Sequence, residues 1–283
     1  MKNIAIIVAL MLITGSIWAQ QEPVERFPVY ETFRTYYLLN GHTTEMLAKR
    51  DLLLNISHRF NGYTSEGIQE LFGLDGSANI RLELMYGLTE NLDVGFGRSS
   101  FFKTYDGTVK YRLVQQIEQG VPFSLVLFGN TAIRTHEWSE LEAASLERKH
   151  RISYQVQAMV SSKVSEFLSI QLMPTYIHRN LVEELEEENG IMSLGAGASV
   201  KFAPSVAFKV EYYHRFSEAN IGAKSLHHAV GFGIDIANER HSYQLHFTNN
   251  TGLIGQEFIP NTHDNFWNNQ IHFGFRIVRR FAL

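Results

Sequence analysis

From position 48 onward the chain keeps returning to short runs in which apolar side chains alternate strictly with polar or small ones. Ile80-Arg81-Leu82-Glu83-Leu84 is one run, and Val206-Ala207-Phe208-Lys209-Val210-Glu211-Tyr212 is another. Period-two alternation places successive side chains on opposite faces of a β-strand. The runs fall at 51–60, 78–86, 92–97, 108–114, 123–133, 152–161, 167–177, 192–202, 206–213, 228–236, 242–248 and 270–281. A chain written this way is all-β, and each strand must separate two unlike media.

The links between runs give the second constraint. Those at 87–91, 115–122, 164–166, 203–205 and 237–241 are short, whereas the alternate set (62–77, 99–107, 135–151, 178–190, 215–227, 249–269) is mostly longer. Outer-membrane barrels show this asymmetry, with tight periplasmic turns and longer outer loops, and an even strand number returns the C-terminus to the periplasm. Alternation also suits a soluble sandwich or a lipocalin-like barrel. A soluble barrel of twelve strands would need a large apolar interior. Here the polar face carries Arg81, Glu83, Lys110, Arg112, Lys209, Glu211 and Arg276, so the wet face belongs inside and the apolar face against lipid. The expected fold is an antiparallel transmembrane β-barrel of about twelve strands, spanning 48–283. Pro174 sits inside run 167–177 and cannot donate to a ladder, which predicts a bulge, a bend or a later strand start.

Before the barrel, Lys2 and the apolar stretch 4–15, followed by Ile17-Trp18-Ala19, read as a cleaved export signal over residues 1–19. An N-terminal anchor helix is the alternative. Residues 20–47 carry Phe27, Tyr30, Phe33, Tyr36 and Tyr37 without clean alternation, and are expected as a periplasmic lead-in or a segment tucked into the barrel mouth. Without residues 1–19 the chain has 24 basic and 29 acidic side chains, which is no nucleic-acid footprint. The absence of cysteine excludes lipoprotein anchoring and haem attachment through CxxCH. Mean hydropathy is slightly below zero, as expected when half of each strand faces water.

The wet face is where function is sought. The lumen-lining candidates are Arg59, Arg81, Glu83, Asp93, Lys110, Arg112, Lys209, Glu211, Asp235 and Arg276, with Lys201 beside them. Bases outnumber acids in this set, a lean toward anions in an open pore. The same charges could instead pair across strands (Arg81 and Glu83 with Asp93 and Lys110) and plug the barrel. Two function classes follow: passage or binding of a small polar solute through a charged lumen, or an occluded structural barrel that docks a partner. An enzyme is not expected. No HExxH or GxSxG occurs, and the neighbours Ser57 and His58 point to opposite faces. His227 and His228 cannot jointly chelate for the same reason, so no metal or cofactor is expected, while His246 and His272 both face inward. The acidic run 182–188 and Glu137, Glu140, Glu142 and Glu147 read as solvated outer loops, with binding of divalent cations shared with lipopolysaccharide the alternative.

Aromatic residues near strand ends, such as Tyr86, Tyr154, Tyr176, Tyr212 and Trp267, fit interfacial girdles. The last run, Ile271-His272-Phe273-Gly274-Phe275-Arg276-Ile277, resembles the C-terminal signal that hands barrels to the insertion machinery. Expected partners are therefore outer-membrane lipid and lipopolysaccharide, that machinery, and a small solute. Asn40-Gly41-His42, Ile56-Ser57-His58-Arg59-Phe60, Leu71-Phe72-Gly73-Leu74-Asp75, Tyr105-Asp106-Gly107 and the stretch Ala78-Asn79-Ile80-Arg81-Leu82-Glu83 through Gly87-Leu88-Thr89-Glu90-Asn91-Leu92 carry a further likeness. They resemble an uncharacterised family of Bacteroidetes outer-membrane β-barrels, domain-of-unknown-function family 5777, from about position 33 to the end. The resemblance implies the fold and the membrane, and it brings no catalytic or binding residue.

Overall fold

Twelve strands close on themselves in a computed structural model that describes residues 26–62, 67–182, 188–217, 220–221 and 224–283. In chain order they are β1 (Leu52–Phe60), β2 (Ala78–Thr89), β3 (Leu92–Ser99), β4 (Tyr105–Val114), β5 (Ser124–Ile133), β6 (Ile152–Lys163), β7 (Leu168–Arg179), β8 (Gly190–Ala203), β9 (Val206–Arg215), β12 (Ala229–Ala237), β13 (His241–Thr248) and β14 (His272–Phe281). β10 (Asn220–Ile221) and β11 (Lys224–Ser225) form a small ribbon in the link between β9 and β12. Two short helices, α1 (Glu140–Ser145) and α2 (Gly255–Phe258), lie in the β5–β6 and β13–β14 links. Each barrel strand pairs antiparallel with its neighbour, and β1 closes on β14 with Ile56 opposite Ile277.

Parity decides which side chains face inward. In β2, Ile80, Leu82 and Leu84 stay 42–52% exposed on the outer wall, whereas Arg81 and Glu83 are 3% and 1% exposed inside. Outward Val109, Leu127, Val156, Leu172, Val210 and Leu245 continue an apolar belt around the barrel. A soluble barrel would show the reverse. Among the described residues no helix is long and apolar enough to cross a membrane, so the strands carry the belt.

The inner wall is less uniform than alternation alone implies. Val126, Phe128, Met159, Met173, Ile177 and Ile191, from β5 to β8, form an apolar sector inside the barrel. The charged sector comprises β1 to β4 together with β9, β12 and β14.

β7 starts at Leu168 and runs through Pro174 without a shift of register. The ladder to β8 is continuous, with Pro174 opposite Leu194, and the ladder to β6 keeps its register from Gln157–Thr175 to Val160–Leu172 while losing the two rungs between. The missing N–H interrupts pairing on one side only, and neighbouring rungs keep the strand in register. Pro174→Val is expected to stabilise the barrel by about 0.5–1.5 kcal/mol by restoring a ladder hydrogen bond. The midpoint of chemical unfolding in detergent checks this, and an unchanged or lower midpoint would refute it.

Candidate functional site

The lumen is closed by two segments that belong to no barrel strand. The first is N-terminal. It meets the periplasmic β4–β5 link, where Pro28 bridges Ile117 and the Val29 amide donates to the Gln116 carbonyl at 2.8 Å. It then climbs into the barrel and turns back on itself. Tyr37 bridges His42, the Leu38 amide donates to the Gly41 carbonyl at 2.9 Å, and the Thr43 amide donates to the Tyr36 carbonyl at 2.9 Å. Leu38–Gly41 is thus the tip of a tight hairpin, and the Asn40-Gly41-His42 motif lies in it. A Cβ on Gly41 would press on the Tyr213 hydroxyl and the Glu211 carboxylate, so a larger residue there would have to displace the groups that hold the tip.

Most of the charged candidates grip this hairpin. The Glu211 carboxylate accepts the amides of Asn40 (2.5 Å) and Gly41 (2.9 Å). Lys209 is paired with Asp235 and donates to the Thr35 hydroxyl and to the Tyr37 carbonyl. Glu83 accepts the Tyr37 phenol at 2.5 Å and the Asn55 amide at 3.0 Å. Asp93 accepts the Leu47 amide at 3.2 Å, and Lys110 donates to the Glu45 carbonyl at 2.5 Å. The Arg276 guanidinium lies 4.1 Å above the Tyr37 ring. On the wall, Arg81 is held by Glu83 at 3.0 Å and by both oxygens of Asp106.

The cross-strand pairing weighed from sequence therefore differs in its partners. Arg81 pairs with both Glu83 and Asp106, while Lys110 and Asp93 each bind hairpin backbone. Arg112 stands apart. It is two residues from the end of β4 and donates to Asn91 Oδ1 (2.9 Å) and the Glu90 carbonyl (2.7 Å), tying the β2–β3 turn at the periplasmic rim. Lys201 is likewise half-buried at the β8 end of that rim.

The second closing segment is the β13–β14 link with α2, which descends from the outer side. Arg59 Nη1 donates to Asn250 Oδ1 (2.7 Å) and to the Gly252 carbonyl (2.6 Å). Asn79 donates to the Thr251 carbonyl at 2.9 Å, and Gln256 donates to Asn130 Oδ1 at 2.6 Å. The Phe258 ring meets Tyr213 edge-on at 5.1 Å in the apolar sector. Where hairpin and link meet, a cavity of about 20 Å³ remains, bordered by Tyr37, Asn40, Arg81, Glu83, Tyr213 and Arg276. It has room for one water. Larger cavities of about 320 and 250 Å³ flank the hairpin stem at the periplasmic mouth.

Sequence reasoning overlooked Asp106, Asn130, Gln171 and Gln244. Asp106 was outside the expected strand 108–114, although the inward parity Asp106, Thr108, Lys110 continues unbroken into β4. Gln171 accepts the Thr44 amide at 3.0 Å and donates to the His42 carbonyl at 2.8 Å, a role that exists only because the hairpin is there. The inward histidines are both occupied: His246 contacts Arg59 Nη2 at 3.0 Å, and His272 contacts Asp264 at 2.8 Å. The expected export signal at 1–19 and most of the acidic run lie outside the described residues.

Over residues 33–281 the sequence matches the family described as Membrane bound beta barrel domain (DUF5777). The chain belongs to this family. No curated protein matches it. Among solved structures, this DUF5777 barrel is similar to the COG4313 outer membrane channel from Pseudomonas putida F1, with 14% identity, a TM-score of 0.51, and 84% of this chain and 97% of that chain covered. It is also similar to the NanC porin, with 11% identity, a TM-score of 0.50, and 82% of this chain and all of that chain covered. Identities this low establish the fold, which is that of porin-like outer-membrane channels. With the family and the apolar belt, they place the DUF5777 barrel in the outer membrane.

Each closing segment carries a carboxyl shifted by its surroundings, half-buried Glu45 in the hairpin and buried Glu257 in α2. Desolvation pushes Glu45 in the hairpin up to about 7, against the Phe33 amide and the charges of Lys110 and Arg112. Desolvation likewise pushes Glu257 in α2 up to about 7, against the Leu253 amide. A raised carboxyl binds its proton more tightly in the docked state than in the free segment. Docking is therefore strongest below the ordinary value of 4.5 and weakens as pH rises toward 7. Hydrogen exchange, corrected for its intrinsic pH dependence, should show the amides of Leu38 and Leu253 losing protection over that window. The Glu45→Gln, Glu257→Gln double variant should flatten the profile, and an unchanged profile would contradict the assignment.

Proposed function

We propose that this DUF5777 barrel passes a small polar solute across the outer membrane and that the described state is its closed form. The observation carrying this reading is that closure comes from two strand-independent segments. The wall itself closes without them, and the charged side chains that grip the hairpin would line water once it withdrew. The COG4313 channel and the NanC porin share this fold, and their names describe passage. The lean toward anions read from the candidate list weakens once Asp106 joins the inner wall and Arg112 moves to the rim. On the inner wall Arg59, Arg81, Lys110, Arg179, Lys209, Arg215 and Arg276 then stand against Glu83, Asp93, Asp106, Glu211 and Asp235, a small basic excess suited to polar cargo with a mild preference for anions.

The test exploits the absence of cysteine. Thr44 Oγ1 and Ser161 Oγ lie 2.5 Å apart, joining hairpin to β6, so Thr44→Cys with Ser161→Cys is placed to form a disulfide. In planar bilayers the native protein should show openings, the oxidised double variant should stay closed, and reduction should restore the openings. A native protein that never opens, together with a reduced variant that never opens, would instead assign the barrel to an occluded structural or docking role.

A further inference from the structure

Two guanidiniums sit deep in the wall without a carboxylate partner. Arg59 of β1 is 0% exposed and Arg276 of β14 is 4% exposed, and neither forms an ion pair among the described residues. Their registers place them side by side. Arg59 lies opposite Gly274 and Ser57 opposite Arg276, which makes the two arginines diagonal inward neighbours, about 7–8 Å apart at Cα in such a sheet. Gly274 also lies opposite His246, and its missing side chain lets Arg59 reach that imidazole.

Each arginine keeps an unsatisfied donor. Arg59 Nε and Arg276 Nη1 have no hydrogen-bond partner, and neither has the buried Asn40 amide, at Nδ2 or Oδ1. The carboxylates whose fields reach these arginines are committed elsewhere. Glu83 is bound by Arg81, Tyr37 and Asn55; Glu211 by the hairpin tip; Asp235 by Lys209; and Glu257 by the Leu253 amide on Oε2, while its Oε1 hydrogen-bonds neither arginine. Buried donors are almost always satisfied, and two adjacent buried cations repel each other. Arg276 and Asn40 both border the 20 Å³ cavity between the closing segments. That volume accepts a single water-sized particle and excludes phosphate or sulfate.

We propose that this cavity is a halide site, in which one chloride-sized anion is held by Arg276 Nη1 and Asn40 Nδ2 in the field of Arg59. The anion satisfies donors on both the wall and the hairpin tip. It therefore ties the closed state together at the level where the two segments meet.

Crystals of the full-length protein soaked in sodium bromide test the site directly. An anomalous bromide peak in contact with Arg276 Nη1 and Asn40 Nδ2, absent in Arg276→Gln, is the expected result. In solution, the melting temperature should rise saturably in sodium chloride relative to sodium gluconate of equal ionic strength, and Arg276→Gln should erase the difference. If that variant does not fold, Asn40→Ala should raise the half-saturating chloride concentration roughly tenfold by removing one hydrogen bond to a charged ligand. A water in place of bromide, bromide at the surface only, or equal melting in both salts would overturn the proposal. None of these readouts requires the lumen to open, so the site and the passage function stand or fall separately.

Discussion

Barrels lacking residues 26–47 are expected to conduct continuously where the full-length protein opens only intermittently. The deleted hairpin supplies no strand to the closed sheet, so the ladder between β1 and β14 and every other pairing is left in place. What disappears is the plug over the charged sector. Glu211, Lys209, Asp235, Glu83, Asp93 and Lys110 lose their backbone or side-chain partners on the hairpin and become solvated lumen walls. Their exposure to water lowers the cost of their charges, which favours a folded, wetted barrel over collapse. The β13–β14 link still covers the outer half, so a second deletion within 251–261 should raise conductance further. The small basic excess on the inner wall, which includes Arg179 and Arg215, predicts weak anion selectivity, read as a small reversal potential of anion-selective sign in a salt gradient. If the first deletion stays silent while remaining folded, the β13–β14 link alone seals the lumen and the hairpin is not the gate.

Arg81→Ala is expected to be the most damaging single substitution in the wall. Its guanidinium serves both Glu83 and Asp106, and all three residues are buried at 3% exposure or less. Removing one member of a buried ionic cluster leaves the others uncompensated, at a cost of about 3–5 kcal/mol. Replacing Arg81 and Asp106 together, as Arg81→Met with Asp106→Asn, removes one of the stranded charges and should cost less than Arg81→Ala alone. Urea unfolding in detergent micelles measures both variants. A double variant as unstable as the sum of its parts would show that the cluster does not act as a unit. Because Glu83 also accepts the Tyr37 phenol, Arg81→Ala should loosen the hairpin as well as the wall.

Much of the fold was legible because a strand's parity is local. Once Ile80, Leu82 and Leu84 lie outward, Arg81 and Glu83 must lie inward, whatever the rest of the chain does. The same logic marked Arg59, Lys209, Asp235 and Arg276 as inward-facing. It also contained Asp106, which was overlooked only because β4 starts earlier than its apolar run suggested. Pro174 shows the limit of local rules. A missing donor predicts a defect, but continuous pairing with β8 absorbed it without a bulge.

Sequence alone determined the all-β class, the twelve strands, the asymmetry of their links and the sidedness of each strand, because all four follow from period-two patterning and turn length along the chain. Only the tertiary structure decided that the lumen is filled and by what. Residues 28–47 lack alternation, and nothing in Asn40-Gly41-His42 reveals that it will meet Glu211, some 170 residues away. Such a contact depends on where a closed barrel places its inner wall in space. That position is a property of the whole sheet, so the partners of the inward charges could not be read before the barrel was built.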